Sequence, residues 1–144
     1  MSGINKILSG NMKLIKHYIK DLSFENFSEK NVENFQPKNH KISHNIDFIY
    51  QSQDKDTFGV LINYNCNLVS KTFHKNIFIL ELVYFGLFEI EDKTKLNQDI
   101  LTKNALKKLY PYVKSIVEFI TQNGCSIKVT LDDINFDLLK KTNT

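Results

Sequence analysis

Residues 58–68 constrain the fold most. Phe58, Val60, Ile62, Tyr64, Cys66 and Leu68 fall on one side of an extended chain, opposite Asn63, Asn65 and Asn67. Successive side chains in a strand point to opposite faces, so this spacing predicts a half-buried antiparallel strand. Ser70 to Asn76 closes a hairpin into residues 77–90. That strand is apolar on both faces, with Leu80, Leu82 and Tyr84 on one and Ile79, Val83 and Phe85 on the other. Both faces then need a cover, which one chain with few helices does not readily supply, and this points to an oligomer.

The remaining elements follow from periodicity. Ile42, His44, Ile46 and Phe48 alternate as a strand, and Gln51 to Asp56 turns the chain. Residues 12–25 read two ways. Leu14, Ile15, Tyr18, Ile19 and Leu22 fit a helical stripe, while Leu22 and Phe24 alternate with Asp21, Ser23 and Glu25. Their β-branched and aromatic content favours a strand. Residues 26–41, with Pro37, read as a long connecting loop, and residues 1–11 as a flexible terminus. From residue 98 to 123 the period becomes helical, through Leu101, Ala105, Leu106, Leu109, Val113, Ile116, Val117 and Ile120. Asn97 or Asp99 can cap this helix and Asn123-Gly124 can end it. Pro111 should kink it, because proline removes the bond to the Lys107 carbonyl. A loop and a short helix from Asn135 to about Lys141 complete a single α+β domain over residues 1–144.

Charge and composition exclude several functions. All 19 basic residues are lysine, against 16 acids, for a net charge of +3. The absence of arginine argues against nucleic acid, since arginine reads guanine and grips phosphate bidentately. Lys, Asn and Ile are 51 of 144 residues, the habit of an AT-rich genome. The middle of the chain has the opposite sign: residues 25–92 hold ten acids against six lysines. Five scattered glycines form no phosphate-binding loop. Met1 to Met12 has no apolar signal region, and Ile77 to Phe88 is interrupted by Glu81, well short of the roughly 20 residues a membrane span needs. Cys66 and Cys125 suit free thiols in a reducing compartment, so a cytoplasmic protein without membrane insertion is expected.

No residues stand out as catalytic, so no enzyme is expected. His40 and His44 have i,i+4 spacing but run into a strand with no cysteine nearby, and neither a metal nor a cofactor is expected. Cys66 reads as a small core residue, and the adjacent Asp132 and Asp133 as solvent-facing cap residues. Most of the eleven Phe and six Tyr must fill a core. Phe24, Phe27, Phe35, Phe73 and Phe136 lie at or beyond the ends of periodic segments, where they could bind something apolar.

Five stretches together resemble one family, over residues 14–140. Tyr18-Ile-Lys-Asp-Leu-Ser-Phe-Glu25 looks like the first-strand motif of SecB, the tetrameric protein-export chaperone. Phe35-Gln-Pro37 resembles its crossover loop, and Glu81 with Tyr84-Phe-Gly-Leu-Phe88 its fourth strand. Leu109-Tyr-Pro-Tyr112 resembles the turn within its long helix, and Ile134-Asn-Phe-Asp-Leu-Leu139 the opening of its last helix. The resemblance implies a four-stranded antiparallel sheet with a long helix and a short C-terminal helix, assembled as a homotetramer, a dimer of dimers. It implies an ATP-independent holdase that binds unfolded preproteins and delivers them to SecA, the translocation motor. Asp21, Glu25 and Glu81 would dock SecA. Phe35, Ile134 and Phe136 would bind clients, and Leu80, Leu82 and Tyr84 would pack subunits. The chain departs from the family in its net positive charge, its lysine-rich end, Asp132-Asp133 where a proline is common, and Phe35 in place of tryptophan. Two alternatives remain at this point: a SecB-like chaperone of a toxin–antitoxin system, and a small α+β enzyme or carrier of an apolar ligand.

Overall fold

A computed structural model describes residues 12–27, 39–91 and 97–136. Four strands precede one long helix: β1 (Met12–Asn26), β2 (His40–Ser52), β3 (Thr57–Ser70), β4 (Asn76–Ile90) and α1 (Gln98–Cys125). They form one antiparallel sheet in the order β1-β4-β3-β2. Residues 12–25 are therefore a strand, as their branched and aromatic content favours. The short C-terminal helix expected from Asn135 falls mostly outside the described residues, as does Phe35.

The register explains why β1 reads ambiguously. It pairs with β4 but shifts register between Leu14 and Lys16 and again between Ile19 and Asp21. The residues opposite the inner positions of β4 are then Met12, Leu14, His17, Ile19, Leu22 and Phe24. Their spacing alternates between two and three, so it imitates both a strand and a helix.

The helix lies on the inner face of the sheet. Phe58, Val60, Ile62, Tyr64, Cys66 and Leu68 of β3 meet Leu101, Ala105, Leu106, Leu109, Val113 and Val117 of α1 in one buried cluster. Leu80, Leu82 and Tyr84 belong to this same cluster, at 0, 1 and 4% exposure. Their expected surface for subunit packing is thus already consumed within one chain, and this corrects the reading of β4 as a strand awaiting a neighbour on that side. The helix of the same chain is long enough to cover it.

Two glycines set how closely α1 approaches. A Cβ on Gly86 of β4 would meet Leu109 Cδ2 at 2.6 Å, and one on Gly124 would meet the Phe24 ring at 2.4 Å. Gly124 therefore serves contact with β1, while the helix continues to Cys125 and ends at Ser126, whose φ is 62°. The Ser126 N–H donates to the Gln122 carbonyl. Asn97 is the N-cap, its side chain accepting from the N–H groups of Asp99 and Ile100. Pro111 sits inside a helix that remains continuous around it.

Candidate functional site

The outer face of the sheet is a polar floor. Register places Asp47, Asn63, Val83 and Asp21 in one row across the four strands. The next row holds Asn45, Asn65, Glu81 and Ser23, and the third Ser43, Asn67, Ile79 and Glu25. Asp21, Glu25 and Glu81 thus share one face, with Glu81 directly opposite Ser23 and between the other two. All three are exposed. These three rows contain four carboxylates and no lysine, on a chain whose net charge is positive. In the opposite direction along the strands the outer face turns apolar, where Tyr18 packs on Phe85 at 5.2 Å beside Leu61.

A second surface forms on the helix side. After α1 the chain turns and runs back along the helix as an extended strap, residues 127–136. Ile127, Val129 and Leu131 are buried in alternation and Phe136 is buried at the strap's end, so these four anchor it to the core. Polar contacts fix its path. The Val129 N–H donates to Thr121 Oγ1 at 2.9 Å, and that hydroxyl donates to the Val117 carbonyl at 2.8 Å. The Tyr110 hydroxyl donates to the Asp132 carbonyl, and Lys114 Nζ pairs with Asp133 Oδ1 at 3.0 Å. Phe136 meets the Tyr110 ring edge-on at 5.3 Å.

Between strap and helix lies an open groove of about 400 Å³. Tyr110, Pro111, Lys114, Ile134 and Phe136 are among the residues lining it. Ile134 and Phe136, the two described members of the expected client site, are therefore brought together. Phe136 is 4% exposed, so it acts as a fixed wall while the half-buried Ile134 offers surface. Sequence reasoning misses the helix side of the groove, from Lys107 to Glu118. A stripe at i, i+3, i+7 and i+11 could have marked it, since those positions share one helix face. Among the rim aromatics, Phe24 lies tilted against Phe78 at 5.5 Å within the fold, while Phe27 and Phe73 are exposed and do not line the groove.

The titratable groups beneath the strap are tuned by burial. Burial pushes the Tyr64 phenol well up, assisted by its hydrogen bond to Cys66. Burial first, and then the carboxylates of Asp132 and Asp133, push Tyr110 up to about 12. Both phenols therefore keep their protons and remain available as donors. His44 shares a hydrogen bond with the Tyr64 hydroxyl. Its pKa is lowered by burial and partly restored by Asp132 of the strap. Burial raises both thiols, Cys66 and Cys125, which leaves them poor nucleophiles. Among the described residues no group of three His, Cys, Asp or Glu could hold a metal, and no helix is long and apolar enough to cross a membrane.

Comparison with known proteins agrees with this architecture. The SecB family model, described as preprotein translocase subunit SecB, matches residues 6–144. Protein-export protein SecB of Dinoroseobacter shibae is 30% identical over 127 residues, covering 87% of this chain and 73% of its own. That of Orientia tsutsugamushi strain Boryong is 31% identical over 130 residues, covering 88% and 80%. A SecB-like chaperone of Mycobacterium tuberculosis, solved with a peptide from an antitoxin, has the same fold. It superposes with a TM-score of 0.66 at 14% identity, over 92% of this chain and 97% of that one. By sequence over nearly its whole length and by the fold of its sheet and helix, the chain belongs to the SecB family.

Proposed function

We propose that this chain is a SecB-type chaperone of protein export, an ATP-independent holdase that binds non-native preproteins in the cytoplasm and delivers them to SecA. One observation carries the reading: a groove with aromatic and branched walls and an acidic floor lie on opposite sides of one sheet. A client held in the groove therefore leaves the floor free for a second partner. Aromatic and branched walls suit many clients, because they offer large apolar area at little cost in side-chain entropy. Preferential binding of the unfolded form holds a client off folding by mass action.

The groove of Ile134 and Phe136 is the client site, and Phe35 is a further client-binding residue. Asp21, Glu25 and Glu81 dock the basic tail of SecA, where carboxylates steer a cationic partner and release it as salt rises. Assembly as a homotetramer, a dimer of dimers, repeats the groove along one unfolded chain and gives avidity. Support for assembly comes from apolar surface that a single chain leaves open: Ile15, Tyr18, Ile19 and Leu22 along edge strand β1, and Ile100, Tyr112 and Phe119 on α1. The protein works without a metal, a cofactor or nucleic acid.

The test is refolding of a denatured client without ATP. Stoichiometric tetramer slows it, and no delay would sink the chaperone reading. Glu81→Lys abolishes SecA binding while unfolded-client binding is retained; unchanged SecA affinity would remove the docking assignment. A chaperone dedicated to an antitoxin is the second reading, suggested by the peptide held in the Mycobacterium tuberculosis relative. It would show client binding with no affinity for SecA in the native protein.

A further inference from the structure

The groove is electrically graded along its length. Lys107, Tyr110, Lys114 and Glu118 follow one another at helical spacing along its α1 wall. Eleven residues are three turns plus about 20°, so Lys107 and Glu118 lie on one line, about 16 Å apart along the axis. Between them the lining is Tyr110, Pro111 and Ser115 of the helix and Asp133, Ile134 and Phe136 of the strap. Lys114 stands in this middle stretch, but its ammonium is paired with Asp133 at 3.0 Å and sits 5.8 Å from the centre of the Tyr110 ring. Its charge is therefore matched by a carboxylate of the same groove, on a side chain open to solvent. What an occupant meets is a cation at one end, a middle stretch where Pro111 and Ile134 offer apolar surface beside Ser115 and the Lys114–Asp133 pair, and a carboxylate at the other end.

We propose that this groove selects extended peptide segments in which an apolar stretch is flanked by an acidic residue on one side and a basic residue about five positions away on the other. The inference rests on the groove being the client site. The spacing follows from geometry: an extended chain rises about 3.3 Å per residue, so five residues span the 16 Å between Lys107 and Glu118. The occupant is a segment of unfolded protein, chosen by charge complementarity at the two ends and by apolar contact between them. The charges do not dictate chain direction, because the segment can lie either way with its acid at Lys107 and its base at Glu118. The groove then favours sequences of mixed sign over those rich in lysine or in acid alone.

Four fluorescently labelled octapeptides test this on the full-length protein. Each encloses Phe-Leu-Phe-Leu between two flanking residues five positions apart, with one glycine beyond each: the flanking pair is Glu and Lys, Lys and Lys, Glu and Glu, or Gln and Gln. The Glu and Lys peptide is expected to bind about three- to tenfold more tightly than either like-charged peptide at low salt, with the advantage shrinking at high salt. Lys107→Glu should move the preference to the Lys and Lys peptide, and Glu118→Lys to the Glu and Glu peptide. Lys107 is exposed and Glu118 half-buried at the groove, so circular dichroism should report an intact fold in both variants. Equal affinity for all four peptides, or a ranking that neither variant changes, would overturn the selectivity while leaving the groove as client site. Binding of none of them, the neutral peptide included, would overturn both.

Discussion

Single atoms decide how the helix sits. Gly86 stands where Leu109, itself fully buried, comes closest to the sheet. Gly86→Ala brings a methyl group into the Leu109 side chain and should cost about 1–3 kcal/mol, read as a lower urea midpoint with unchanged slope. His44 supplies a pH effect whose sign follows from its surroundings. Burial lowers its pKa below 6.5 and the Asp132 carboxylate offsets part of that. The folded chain therefore binds this proton less readily than the unfolded chain does. Its contribution to stability is present above pH 6.5 and is lost as the pH falls towards the depressed folded value. Urea unfolding at pH 7.5 and 5.5 should show a smaller acid loss for His44→Gln than for the native chain. The effect is modest because the ring is partly open to solvent.

At the scale of elements, the strap depends on one buried hydroxyl. Thr121 is fully buried, and its Oγ1 both accepts from the Val129 N–H and donates to the Val117 carbonyl. Thr121→Val keeps the volume and leaves that N–H without its partner, so about 1–3 kcal/mol should be lost. Thr121→Ser, which keeps the oxygen, should lose less, and amide exchange at Val129 separates the two. The elements differ in how plainly the sequence announces them. β3 was legible because its pairing with β2 runs without a register shift, so period two survives along its whole length. β1 was not, because its two shifts mix spacings of two and three. Gly124 reads as a helix stop in the sequence, but the helix runs on to Cys125, since a glycine needed for close packing on Phe24 resembles a glycine that stops a helix.

For the whole molecule, the signs of charge and the open apolar surfaces matter most. The three carboxylates were legible as face-mates because Asp21 and Glu25 lie beyond the second shift of β1, where alternation is intact. The α1 wall of the groove was not, because Lys107 and Glu118 look like any solvated helix face until the strap is laid beside them. The inward side of β4 reads as a subunit surface because periodicity cannot say which helix covers a strand. Assembly as four copies predicts a light-scattering mass near four times 16.8 kDa. A monomer at working concentration would count heavily against the dimer of dimers.

The two register shifts of β1 also bear on self-protection. A holdase keeps unstructured polypeptide at high local concentration beside its own sheet, and an open strand edge is a template for such chains. A flat strand of 15 residues would let captured segments add themselves as further strands, and sheet growth of that kind has no natural end. Each bulge interrupts the ladder and increases the local twist, so the edge offers only short runs for pairing. The irregularity that hides β1 in the sequence is thus a barrier against the chaperone seeding the aggregation it would exist to prevent.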